Sequence, residues 1–159
     1  MKYIKKKLTI DKIKIEDIAK KFNTPTYCYS YTQLKKNIIN FKKNFKSFSP
    51  LICFAIKSNT NLNLIKEIQK FGLGADVVSM GELMMAINAG INPKKIVFSG
   101  VGKTSNEISY AIDKKILLIN AESKSEINEI DRIASIKKKK VKIGIRLNPN
   151  TDAKTLSQI

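Results

Sequence analysis

Histidine is absent from this sequence, and its two cysteines, Cys28 and Cys53, form no C-x-x-C pair. Zinc centres are mostly built from those residue types at short spacings, so the sequence argues against a zinc site. Two cysteines without a disulfide framework fit a reducing, cytoplasmic setting. Cys53 lies inside an apolar run and reads as a small core residue. Long apolar stretches are lacking too. Nothing approaches the ~18 uninterrupted apolar residues of a membrane helix, which argues against a membrane partner. The basic start, Met1-Lys2-Tyr3-Ile4-Lys5-Lys6-Lys7, is followed by no apolar segment of the secretory kind.

Negative charge is scarce. Asp and Glu number 13 against 30 for Lys and Arg, giving a net charge of +17, and every basic residue except Arg132 and Arg146 is lysine. Such a balance suits a polyanionic partner such as nucleic acid. The lysines are nevertheless scattered over every helical segment, and only Lys137-Lys138-Lys139-Lys140 makes a dense block. No aromatic RNA-binding motif or helix-turn-helix pattern accompanies them. A general drift towards Lys, Ile and Asn explains the charge better, and nucleic-acid binding is kept as the lesser alternative.

What the chain does contain is a regular rhythm. With 43% hydrophobic residues over 159 positions it can form one ordinary domain with a core. Residues 1–25 read as a basic lead-in ending in a short helix, and a strand is expected at 26–29, where Thr26-Tyr27-Cys28-Tyr29 is rich in β-formers. Apolar steps of three and four predict a helix over 31–48, and further helices are expected over 61–71, 81–89, 104–112 and 123–136. Strands are expected at 51–57, 74–79, 96–98, 116–119 and 141–147. Alternating strands and helices mean βαβ units and a parallel sheet, either an open doubly wound sheet or a closed barrel.

The centre of this pattern is Leu51-Ile52-Cys53-Phe54-Ala55-Ile56-Lys57-Ser58-Asn59, an apolar run that stops at a lysine. A lysine at the carboxyl end of a buried parallel strand stands where α/β barrels place their chemistry. In a partly desolvated site its amine can condense with an aldehyde. The competing reading is one more solvated lysine. Strand parity adds Asp76, which shares a face with Gly74 and Val78, and Arg146, which shares one with Lys142 and Gly144. Charged groups beside small residues suit a pocket, with Asp76 pairing with Lys57 and Arg146 holding an anionic oxygen. Both could equally be surface charges at strand ends. Gly100-Val101-Gly102-Lys103-Thr104 lacks the first glycine of a nucleotide-binding loop at the required distance and reads as a plain strand-to-helix turn.

Four segments carry a resemblance. Phe54-Ala55-Ile56-Lys57-Ser58-Asn59, Gly74-Ala75-Asp76-Val77-Val78-Ser79-Met80-Gly81-Glu82-Leu83, Phe98-Ser99-Gly100-Val101-Gly102-Lys103-Thr104 and Arg146-Leu147-Asn148-Pro149-Asn150-Thr151-Asp152-Ala153-Lys154-Thr155 stand in the order and spacing of the diaminopimelate decarboxylases. The last two set this family apart from the similar ornithine and arginine decarboxylases and alanine racemase. The resemblance implies an α/β fold, a (β/α)8 TIM-type barrel of the alanine-racemase-like kind, of which about five of eight strands lie here. It implies pyridoxal 5'-phosphate held by Lys57, with Asp76, Arg146 and Glu82 lining it. It further implies loss of CO2 from meso-diaminopimelate to give L-lysine, in a homodimer.

The family's ring-stacking histidine, glycine-rich phosphate loop and second β domain are not found in this sequence. Residues 1–25 are therefore expected to pack with that β domain, and 26–159 to form an incomplete cofactor-binding barrel. The chain is expected to be an N-terminal portion that is inactive alone unless a complementary C-terminal fragment exists. A non-catalytic pyridoxal-phosphate-binding module is the alternative.

Overall fold

The computed structural model describes residues 1–149. It divides into two compact units, Met1–Pro50 and the chain from Leu51 onward. The first opens with an antiparallel meander of β1 (Lys2–Ile4), β2 (Lys7–Ile10) and β3 (Ile13–Lys14). Ile4 pairs with Lys7 and Ile10 with Ile13, so each turn holds two residues. These are Lys5-Lys6 and Asp11-Lys12, all four at positive φ between 47° and 70°. A type I′ hairpin turn requires that geometry, and it is normally signalled by Asn-Gly. The lead-in thus holds three strands where only a helix was expected.

That helix is present as α1 (Ile15–Phe22). The strand expected at 26–29 does not form, and Tyr27 is 91% exposed. Among the described residues these β-formers have no partner strand, and propensity alone does not make a ladder. α2 (Tyr31–Asn44) follows the periodicity, with the Ser30 hydroxyl accepting the Gln33 N–H at its start.

The second unit is a parallel sheet of β4 (Cys53–Ala55), β5 (Gly74–Val77), β6 (Ile96–Phe98), β7 (Leu118–Ala121) and β8 (Ile143–Ile145), each strand lying beside its predecessor. The linking helices are α3 (Leu62–Gln69), α4 (Met80–Asn88), α5 (Ser105–Lys114) and α6 (Lys124–Ile136). Each begins at a residue whose side chain accepts a first-turn N–H: Asn61, Ser79, Thr104 and Ser123.

Strand order decides between the two sheets left open by the sequence. An open doubly wound sheet reverses its order at a switch point, whereas strands added always on the same side keep their helices on one face and form a barrel wall. Here Ala75, Val77, Ile96, Phe98, Ile119 and Ala121, the alternate residues of three strands, lie in one core with Leu83, Ala86, Ile108, Ala111, Ile130 and Ile133 of the helices. The opposite face carries Ala55, Asp76, Val97 and Leu118 in register, all only partly buried.

Four strands of this sheet differ from expectation: β5 ends at Val77 rather than 79, β8 covers Ile143–Ile145 rather than 141–147, and the other two differ for visible reasons. The run at 51–57 makes a ladder only over Cys53–Ala55, and Ile56–Ser58 form a single 3-10 turn. The turn is closed by the Asn59 N–H on the Ile56 carbonyl at 3.0 Å and the Ser58 hydroxyl on the Ala55 carbonyl at 2.7 Å. β7 starts at Leu118 rather than residue 116, because the Ile116 N–H turns back to the Ala111 carbonyl and helps to end α5. Lys115, at φ 54°, provides the left-handed residue of that helix end.

Candidate active site

The carboxyl ends of β4 to β8 gather the polar residues. Lys57 stands on the 3-10 turn just past β4, not on the strand itself. Its neighbour Ile56 is wholly buried in the core and anchors the turn, while Lys57 is exposed. The Lys57 amine makes no hydrogen bond or ion pair among the described residues. The Asp76 pairing expected for it is not seen.

Asp76 lies in register between Ala55 and Val97 on the helix-free face. Its carboxylate accepts the Ser99 hydroxyl at 2.7 Å, and the Asn120 amide donates to the same hydroxyl at 3.0 Å. The row Asp76, Ser99, Asn120 thus runs from β5, past the end of β6, to β7. Glycine makes space for it. A Cβ on Gly144, in register with Asn120, would run into the Asn120 side-chain oxygen. The negative charge of Asp76 adds to burial in pushing the Cys53 thiol pKa up, so Cys53 stays a neutral thiol, as its place in the apolar run suggested.

Arg146 follows β8, and its guanidinium donates to Glu122 at 3.0 Å and to the Asn148 side chain at 3.2 Å. Glu122 also accepts the Gly100 N–H at 3.1 Å. Glu82 caps the chain locally: its carboxylate accepts the Val78 N–H at 2.9 Å, and its own N–H goes to the Ser79 hydroxyl. Thus Asp76 sits in a row of three, Arg146 in a separate pair, and Lys57 beside the strand end that leads to Asp76. The segment 150–155 of the last motif lies outside the described residues.

Sequence reasoning passed over Ser99, Asn120, Glu122, Lys103 and Glu126. Asn120 was lost because β7 was expected to stop at Ile119. Glu126 had a legible signal, whereas Glu122 had none. Ser79-x-x-Glu82, Thr104-x-x-Glu107 and Ser123-x-x-Glu126 are three capping-box patterns, each opening a helix at a strand's carboxyl end. Only Thr104 and Glu107 close the full reciprocal box. Glu107 also accepts the Met80 N–H at 3.0 Å, and these N–H bonds hold its carboxyl below the usual range.

In-order parallel strands with polar groups and a lysine clustered at their carboxyl ends define a barrel-type α/β protein with its site at the top of the wall. The comparisons make this specific. Residues 31–159 match the family model described as pyridoxal-dependent decarboxylase, pyridoxal binding domain, and the chain belongs to that family. It is 45% identical over 140 residues to diaminopimelate decarboxylase of Helicobacter pylori (strain J99), covering 88% of this chain and 35% of that protein. The corresponding protein of Aquifex aeolicus is 41% identical over 155 residues, covering 98% of this chain and 36% of the relative. The crystal structure of Helicobacter pylori diaminopimelate decarboxylase complexed with L-lysine superposes with a TM-score of 0.86 at 43% identity, over 91% of this chain and 36% of that one. The chain therefore spans about 35% of the length of the curated relatives it matches.

Proposed function

We propose that this chain is the lysine-bearing part of a diaminopimelate decarboxylase, which releases CO2 from meso-diaminopimelate to give L-lysine. The observation that carries the reading is Lys57: an exposed amine with no partner among the described residues, fixed at the carboxyl end of a barrel strand by the buried Ile56. Relatives bearing that enzyme's name match most of the chain, and one was solved with L-lysine bound.

The residues present fit pyridoxal 5'-phosphate at its aldehyde end. An amine is available, the adjacent inner face carries Ala55, Gly74 and Gly144, and hydroxyl, amide and carboxylate groups line it. When bound, the cofactor supplies an electron sink for the charge left by departing CO2. The protein supplies position. Lys57 would hold the aldehyde carbon. Asp76, steadied by Ser99, would offer a carboxylate to the cofactor, and Arg146, steadied by Glu122, would offer donors to an anionic oxygen. Glu82 keeps the β5–α4 turn closed. A homodimer, and packing of residues 1–25 against a second β domain, belong to the same proposal.

Borohydride trapping tests the site. Chain incubated with pyridoxal phosphate, reduced and peptide-mapped should carry one modified lysine, Lys57, and lose it in Lys57→Ala. Label spread evenly over the exposed lysines would refute the assignment. For the reaction, the chain alone should release no CO2; supplied with the C-terminal remainder of such an enzyme, it should release CO2 from meso-diaminopimelate in preference to ornithine or arginine, and lose that release in Lys57→Ala. The reverse preference would refute the substrate, and trapping without any release even in the presence of that remainder would mark a cofactor-binding module.

A further inference from the structure

Among the ion pairs of the described residues, Lys103 is the most enclosed charge. Its side chain is 1% exposed and that of its partner Glu126 is 8% exposed, at 2.7 Å. The ammonium donates three hydrogen bonds of 2.7 Å each, to the Gly100 carbonyl, the Asn120 carbonyl and Glu126 Oε1. It also lies 5.6 Å from the centre of the Phe98 ring. All three of its protons are used, and the second Glu126 oxygen accepts the Glu122 N–H at 2.8 Å.

A buried ion pair contributes little net stability compared with an apolar pair of the same volume. What it does supply is fixed geometry, and its partners here are telling. Gly100, at φ 93°, follows the Ser99 that holds Asp76. Asn120 bridges to that Ser99 through its side chain. Glu122, tied to the pair through its N–H, grips Arg146 with one oxygen and the Gly100 N–H with the other. Both routes from Lys103 end at a charged group assigned to the site.

Taking Lys57 as the cofactor's lysine, as proposed above, we propose that Lys103 and Glu126 are positioning residues that fix the Asp76 carboxylate and the Arg146 guanidinium relative to Lys57. Neither touches the reacting atoms. They act through Asn120, Gly100 and Glu122.

Lys103→Met alone strands a buried carboxylate and tests folding as much as position. The double variant Lys103→Met/Glu126→Gln removes both charges at matched size and keeps an acceptor for the Glu122 N–H. Its thermal melt confirms that it folds. The sequence has only two arginines, so side-chain NMR gives two Nε–H signals. In the double variant the Arg146 signal should move towards that of free arginine. The Arg132 signal, held by Glu129 at 2.8 and 2.7 Å, should stay in place. The pyridoxal phosphate concentration giving half-maximal trapping at Lys57 should rise about tenfold, within the coupling shown by neighbours in one hydrogen-bonded network. An Arg146 signal that stays put, or trapping that is unchanged, in the folded double variant overturns the inference. Failure to trap at Lys57 in the unaltered chain overturns the site reading instead, while the Arg146 signal still decides whether the pair holds the guanidinium.

Discussion

The two faces of the five-stranded sheet are built to different rules. On the helix side, Ala75, Val77, Ile96, Phe98 and Ile119 are all fully buried. On the other side, Asp76, Val97, Ser99 and Asn120 keep part of their surface, and the three polar ones bond in a row through Ser99. The residues alternate along the same strands, so a single step in sequence separates fold from site. The difference teaches that stability in this unit comes from one face, leaving the other free to carry polar groups that a dry core would not tolerate.

Substitutions at neighbouring positions should expose this division. Phe98→Ala removes the largest fully buried side chain and should cost about 3–5 kcal/mol in chemical denaturation. Gly74→Ala breaks the contrast in another way. Gly74 lies at the tight amino end of the inner face, and its added Cβ would meet the Lys95 carbonyl and the Cys53 sulfur, for an expected loss of about 1–3 kcal/mol. Val97→Ala, one residue from Phe98 but on the half-open face, should cost about 1 kcal/mol or less. Equal losses at 97 and 98 would abolish the distinction.

The smallest effect should come from the exposed rim of the helical layer. Asp113 on α5 pairs with Lys137 at 2.7 Å and Lys139 at 2.9 Å, and those hydrogen bonds, Lys137's first, lower its pKa from 3.8 to about 2. A carboxylate depressed by folding contributes above its unfolded value and loses that contribution as pH falls towards the folded one. The melting-temperature gap between the unaltered chain and Asp113→Asn should therefore be level above the ordinary carboxylate range and shrink between 3.8 and about 2. Salt should narrow it at every pH, since the group is solvated. The same pairing partly neutralises the lysine block that suggested a polyanion partner.

Much of this architecture was legible. Helical spacing placed α2 to α6, and short apolar runs placed β5, β6 and β8 to within a few residues. The failures share a physical cause. Chain reversals are read from Gly, Asn and Pro, yet Lys5, Lys6, Lys12, Lys115 and Lys138 all stand at positive φ in this chain. Lysine gives no warning of such a conformation. The N-terminal meander was missed for that reason, and β7 was placed two residues early. At the site, parity put Asp76 on the right face because its strand is regular. It misplaced Lys57 because hydrogen bonds from Ser58 and Asn59 end the ladder at Ala55 and make a turn instead. Sequence pattern also could not show that Lys103, one lysine among many, is the one drawn inside.

The alternation in β5 also bears on how the chain finds its fold. Asp76 stands between Ala75 and Val77, neither of which leaves any surface to water. If β5 paired one step out of register, every side chain would change faces. The carboxylate would then be thrust into the waterless layer under the helices with nothing to answer its charge, at a cost of several kcal/mol. The acid thus makes the slipped pairing of β5 costlier than the native one, a constraint on register set by the same residue that faces the site.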